Sequence, residues 1–293
     1  MKNHGLKYHI YADDTQLYLA FSPLSDESQE RAKIDMESAI KEIKSFLITN
    51  KMKLNDDKTE FLIIGTEKKL PKVTITDIMV GSSRIEPSEK ARNLGVLFDE
   101  HMNLKDHINN VRKNGFFHVR NLSLIRDYLD KDVANMAAHA FITSTLDYGN
   151  SLLYGLPAEE IRKLQLVQNA SARVVAKKRK YDHITEVLKE LHWLQIIARI
   201  DFKILIYTWK ALHDMAPEYL AELIKYKPNP RTLRSNNKKL LQDISTNLVT
   251  CGDRAFCKAA PTLWNRLPQD LRDINEFEPF KKRLKTYLFE KYY

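Results

Sequence analysis
The chain has 293 residues, 43% hydrophobic and 29% charged, proportions of an ordinary globular protein that exclude a wholly disordered or collagen-like chain. No run of about 18 apolar residues offers a membrane span, the first twenty residues lack the pattern of a secretory signal, and Cys251 and Cys257 are too few for a disulfide scaffold, so a reduced intracellular setting is expected. The net charge of +9 is uneven: residues 1–100 hold 15 Lys/Arg against 17 Asp/Glu, residues 101–293 hold 32 against 21, and that excess favours an anionic partner.

Residues 7–21, KYHIYADDTQLYLAF, are two β-rich runs with a polar break at Asp13-Asp14, the pattern of a hairpin. Ser22 to Glu27 offers a helix start, and Met36, Ile40, Ile43 and Leu47 give the following helix one apolar face over about six turns. Thr59 to Gly65, TEFLIIG, reads as a buried strand. Further strands are predicted at 73–80 and 92–98, with a turn at Gly81-Ser82-Ser83 between them. After residue 100 the period becomes helical. Four helices are marked by Ile108, Val111, Leu122, Ile125 and Leu129; by Val133, Ala137, Ala140 and Phe141; by Ile161, Leu164, Val167, Val174 and Val175; and by Ile197, Ile200, Ile204, Leu205 and Leu212. Pro157 and Pro217 suit helix starts or breaks. Two basic segments interrupt this region: Lys177-Lys178-Arg179-Lys180, and residues 225–239, which carry six basic residues, no acid and two prolines.

The chemistry concentrates at Tyr11-Ala12-Asp13-Asp14. Two adjacent carboxylates repel unless a cation lies near them. Taken alone, the four residues read either as a solvated turn or as hard oxygen ligands for Mg²⁺. Cys251 and Cys257 lack zinc-site spacing. His183, His192 and His213 read as packed or surface residues. Phe116, Phe117, Trp193, Trp209 and Trp264 read as core in preference to base-stacking platforms.

Several motifs in order resemble the reverse transcriptases of LINE-type (non-LTR, jockey-like) retrotransposons. HGLKYHIYADDTQLYL at 4–19 resembles the catalytic hairpin, motif C. MKLNDDKTEFLIIG at 52–65 resembles motif D of the palm. RNLGVLFDEHMNLKDHI at 92–108 resembles motif E leading into the thumb. The resemblance continues through LDYGNSLLYGLP at 146–157, KLQLVQNASARVV at 163–175, LHWLQIIARIDFKI at 191–204, PNPRTLRS at 228–235 and APTLWNRLPQDLR at 260–272, so it covers nearly the whole chain.

The resemblance implies an α+β fold: a partial palm at 1–100, a small antiparallel sheet with a long helix, then a mainly helical thumb-like region at 101–225. A basic loop and C-terminal helical segment follow at 226–293. It implies that Asp13 and Asp14 are catalytic and bind Mg²⁺ or Mn²⁺, with Tyr11 and Ala12 beside the primer end and incoming nucleotide. Lys58 matches the lysine proposed to protonate the departing pyrophosphate, and Leu94 and Gly95 match the motif E turn. The family's first metal-binding aspartate, motif B and the fingers lie upstream of the matched region, so the chain is expected to be inactive alone. Gly149 stands in Asp147-Tyr148-Gly149-Asn150 where the family has cysteine. The implied partners are an RNA template and a DNA primer, with deoxynucleotides once a palm is complete, and no membrane. Lys177, Lys178, Arg179, Lys180, Arg231 and Arg234 are the candidate nucleic-acid contacts. The basic run also fits nuclear import, so nucleus and cytoplasm are both expected.

Overall fold
A computed structural model describes residues 6–228, 239–246 and 251–293. The fold is mixed α and β, with helices and, among the described residues, three separate two-stranded antiparallel sheets. It divides into two compact units, one ending at Asp106 and one starting at His107.

The first unit is organised by helix α1, Asp26–Thr49. Ser25 caps it: its hydroxyl accepts from the Ser28 amide at 3.2 Å, and Asp26 and Glu27 occupy the electropositive first turn. Its inner stripe carries Gln29, Ala32, Ala39 and Ile40. Strands β1, Lys7–Tyr11, and β2, Asp14–Tyr18, pair from Lys7↔Tyr18 to Tyr11↔Asp14. Strands β3, Ile78–Val80, and β4, Ser83–Ile85, form a second hairpin around Gly81, whose φ of 67° suits glycine. Strands β5, Lys90–Asn93, and β6, Val96–Asp99, form the third. Ile40, Ile78 and Val80 make the core, with Leu17, Met36, Leu54, Phe61 and Ile85 packed on it.

Four sequence expectations shift here. The hairpin turn is Ala12-Asp13, not Asp13-Asp14: Ala12 takes the positive φ, 52°, and Asp14 already pairs with Tyr11. Of 73–80 only the last three residues are strand. The expected strand 92–98 is broken by a turn at Leu94-Gly95, both with positive φ, the conformation a two-residue hairpin requires. Residues 59–65 are not a strand. Phe61 makes a single parallel bridge to Pro87, which has no N–H to continue a ladder, and Ile64 is 54% exposed.

Three buried polar groups tie this unit together. The Gln29 amide donates to the carbonyls of Pro23 and Lys72, both at 3.2 Å, and accepts from the Thr74 amide at 2.7 Å. The Asp77 carboxylate accepts from Arg84 at 2.5 Å, Thr76 at 2.9 Å and Lys33 at 3.0 Å. These donors, Arg84 first, hold it well below the usual carboxylate range. Asp99 accepts from the amides of His101, Asn103 and Leu104, the last at 2.6 Å.

The second unit is helical and holds most of the core: of the buried apolar residues among those described, 37 lie here and eight in the first unit. Helix α2, Lys105–Ile125, begins at the division and buries Ile108, Val111, Gly115, Val119 and Leu122. Helix α3, Lys131–Ala138, runs through a π-helical turn, His139–Thr143, into α4, Ser144–Asp147. Its buried residues Ala134, Ala138, Ile142 and Leu146 recur every four residues. Four residues overshoot a 3.6-residue turn, and the wider π turn takes up that drift. The expected apolar markers Val133, Ala140 and Phe141 are therefore exposed.

Helix α5, Ala158–Val175, starts after Pro157. Helices α6, Ile184–Glu190, and α7, Ile196–Leu212, follow, then α8, Glu218–Ala221, after Pro217. Helices α9, Phe256–Trp264, α10, Gln269–Arg272, and α11, Phe277–Tyr292, close the chain. Trp193, Trp209 and Trp264 are buried, and their indole N–H groups donate to Asn135 Oδ1 and to the carbonyls of Ile274 and Lys239. Gly149 takes a left-handed φ of 63°, a conformation that favours glycine over cysteine. Among the described residues no helix is long and apolar enough to cross a membrane.

Candidate functional site
Tyr11, Ala12, Asp13 and Asp14 form the tip of the β1–β2 hairpin, and all four are exposed. Leu17 anchors the hairpin on the core, while Tyr8 and Ile10, on the same face, stay largely exposed. Leu94 and Gly95 form the β5–β6 turn. The Gln16 side chain donates to Asn93 Oδ1 at 2.7 Å, which joins the middle of β2 to the residue before the β5–β6 turn. Lys58 ends a short 3₁₀ turn, Asp56–Lys58, and its side chain is exposed.

The donor set does not complete a metal centre. Asp13 and Asp14 are two successive carboxylates, and among the described residues no group of three or more His, Cys, Asp or Glu is placed to hold an ion. The residues present thus do not by themselves fit a two-ion Mg²⁺ or Mn²⁺ site, and no catalytic step is assigned to them. Cys251 and Cys257 are free thiols.

In the second unit, Lys177, Lys178, Arg179 and Lys180 are all exposed in the turn after α5. Lys177 pairs with Asp127 at 3.0 Å, the Arg179 amide donates to Asp182 at 2.7 Å, and the Lys180 ammonium lies 5.6 Å from the Tyr181 ring centre. Arg231 and Arg234 lie outside the described residues. Two partners of the run are not evident from sequence. Arg126 and Arg173 line a groove of ≈ 380 Å³ together with Lys177, Lys178 and Lys180.

The aromatic residues divide. The three tryptophans are core, as expected, but Phe116 and Phe117 are exposed, Phe117 by 60%. Phe117 meets the His118 ring edge-on at 5.3 Å, and His118 stacks on Phe141 at 5.8 Å. The buried side of α2 is completed by Gly115 and Val119, which leaves these phenylalanines on the outer face. His213 stacks on Trp209 at 3.9 Å and His192 lies against Phe289, while His183 is exposed at the start of α6.

The chain matches no protein-family model, no curated protein and no solved structure.

Proposed function
We propose that this chain is the C-terminal part of an RNA-directed DNA polymerase of a non-LTR retrotransposon, inactive alone, that binds template–primer nucleic acid. The motif order supports the reading. The observation that carries it is the Asp13-Asp14 pair at the solvent-exposed tip of a two-residue hairpin, where carboxylates are open to a primer end and to ligands from another palm strand. In this reading Asp13 and Asp14 supply part of a metal cage whose remaining carboxylate comes from elsewhere. Lys58 in this reading takes the part of the lysine that meets the departing pyrophosphate, and a cation beside developing negative charge stabilises it.

A second reading, a non-catalytic nucleic-acid-binding module, is favoured by the basic groove. Primer extension on an RNA template with Mg²⁺ or Mn²⁺ and fluorescence anisotropy with a labelled RNA–DNA hybrid test both. The expected outcome is no nucleotide incorporation by this chain, together with hybrid binding that weakens as salt rises. Absence of binding at low salt refutes both readings.

A further inference from the structure
We infer that the groove between α2 and α5 is a phosphate-binding site in which Arg173 is the directing donor. Its lining is Val119, Ser123 and Arg126 from the α2 side, and Ala170, Arg173, Val174, Lys177, Lys178 and Lys180 from α5 and the turn after it. Five of these residues are cations and none is an acid. Among the described residues only Lys177 has a carboxylate in ion-pair range, Asp127 at the rim.

A helix C-terminus ordinarily repels anions, because its last carbonyls point outward. Here those carbonyls are taken. The Ala172 oxygen accepts from the Ala176 amide at 2.9 Å, that of Arg173 from the Lys178 amide at 2.9 Å, and that of Val174 from the Lys177 amide at 3.2 Å. The buried Arg126 guanidinium covers Val174 and Val175, the latter at 2.7 Å, and also donates to Leu129. This is a Schellman closure with Lys177 in the left-handed position, φ 50°. The last carbonyls of α5 are thereby occupied, and the charged side chains of the groove are all cations.

Arg173 lines the groove with its hydrogen-bonding capacity only partly used. Arg173 Nε is buried without a hydrogen-bond partner, while its outer nitrogen donates to the Asp182 carbonyl at 3.3 Å. A buried unpaired N–H is costly unless a ligand satisfies it. An oxyanion in the groove reaches it when the Arg173 side chain turns outward, while Lys178 and Lys180 supply neutralising charge. Phosphate is the chemistry that fits.

Two sources share that chemistry, a nucleic-acid backbone and a small phosphorylated molecule. The backbone is the one argued here, and this choice rests on the nucleic-acid reading above. The test uses the whole chain in two arms. In the first, anisotropy with the labelled hybrid is measured across a salt series for wild type, Arg173→Gln, Lys178→Ala/Lys180→Ala and the control Lys282→Ala. Loss of one phosphate contact lowers the slope of log K against log salt by about 1. That drop is expected in both groove variants and not in the control. In the second arm, melting is followed with inorganic phosphate against chloride at equal ionic strength. Phosphate is expected to raise the midpoint of wild type and not of Arg173→Gln.

Unchanged slopes in both groove variants, with wild type binding the hybrid, overturn the backbone assignment and leave the nucleic-acid reading standing. Failure of wild type to bind any hybrid overturns that reading, and protection by phosphate alone then assigns the groove to a small phosphorylated ligand. No protection and no slope change overturn the site altogether. Lys178→Glu, at an exposed position, serves as a further variant should Arg173→Gln melt early.

Discussion

Gly115→Ala is expected to destabilise the second unit, although alanine is the better helix former. A Cβ built on Gly115 falls 2.6 Å from Val167 Cγ1, against a favourable carbon–carbon contact of about 3.5–4.0 Å. Val167 is fully buried on α5, and a β-branched side chain in a helix has essentially one rotamer, so it cannot swing away. Overpacking of this kind costs about 1–3 kcal/mol, and the gain in helix propensity returns about 1 kcal/mol. The net is a loss of about 1 kcal/mol. Val167→Ala alone removes two methyl groups and leaves a cavity, about 2–3 kcal/mol. In the double variant the new methyl enters the vacated space, so the coupling is favourable by about 2 kcal/mol. Urea unfolding followed by tryptophan fluorescence measures this, because all three tryptophans are buried in the second unit. A Gly115→Ala midpoint at or above wild type, together with an additive double variant, refutes the close packing of α2 on α5.

Asp99→Ala strands the amides of His101, Asn103 and Leu104 and is expected to cost roughly 3 kcal/mol in urea denaturation followed by far-UV circular dichroism. Asp77 titrates below its unfolded value, so its contribution is complete above about pH 4. It is lost as pH falls toward the folded value. Asp77→Asn should flatten that acid limb of the stability profile, and an unchanged profile would reject the assignment. Asp201 behaves oppositely. Burial raises its pKa against the opposing effects of the Tyr292 hydroxyl, which donates at 2.7 Å, and of Lys291 and Arg266. Its contribution is present below the unfolded value and lost as pH rises through the folded one. Asp201→Asn should therefore melt higher than wild type at neutral pH, and a lower melting point would show that the ionised group is the stabilising form.

Local signals in the sequence read well where they act locally. Ser25 with Asp26 and Glu27 predicts the start of α1 because capping needs only neighbouring atoms. The repeat of Ile161, Leu164 and Val167 predicts α5, whose buried face includes all three. Periodicity failed where geometry departs from the regular period: the π turn moves Phe141 outward, and Leu94-Gly95 folds one apparent strand into two. Residues 59–65 have strand composition, but strand formation also needs a partner, and Pro87 denies one. At the candidate site, Asp13, Asp14 and the basic run stood out by residue type. Arg126 did not, because its role depends on carbonyls 48 and 49 residues away.

Each strand pair in the first unit is closed by a tight turn, and the widest separation between paired residues is that of Lys7 and Tyr18, 18 − 7 = 11 positions. Such contacts cost little loop-closure entropy, so each hairpin can form within about 1–10 μs, independently of the others. An isolated two-stranded hairpin is marginal in water, so each persists only once it packs within the unit, as β3–β4 does on α1 and β2 does through Leu17 on the small core. The slow event expected in maturation of this unit is thus packing of the hairpins rather than strand pairing. A newly made chain would present the open edges of three hairpins during that interval, and chaperone capture or mispairing would act on those edges first.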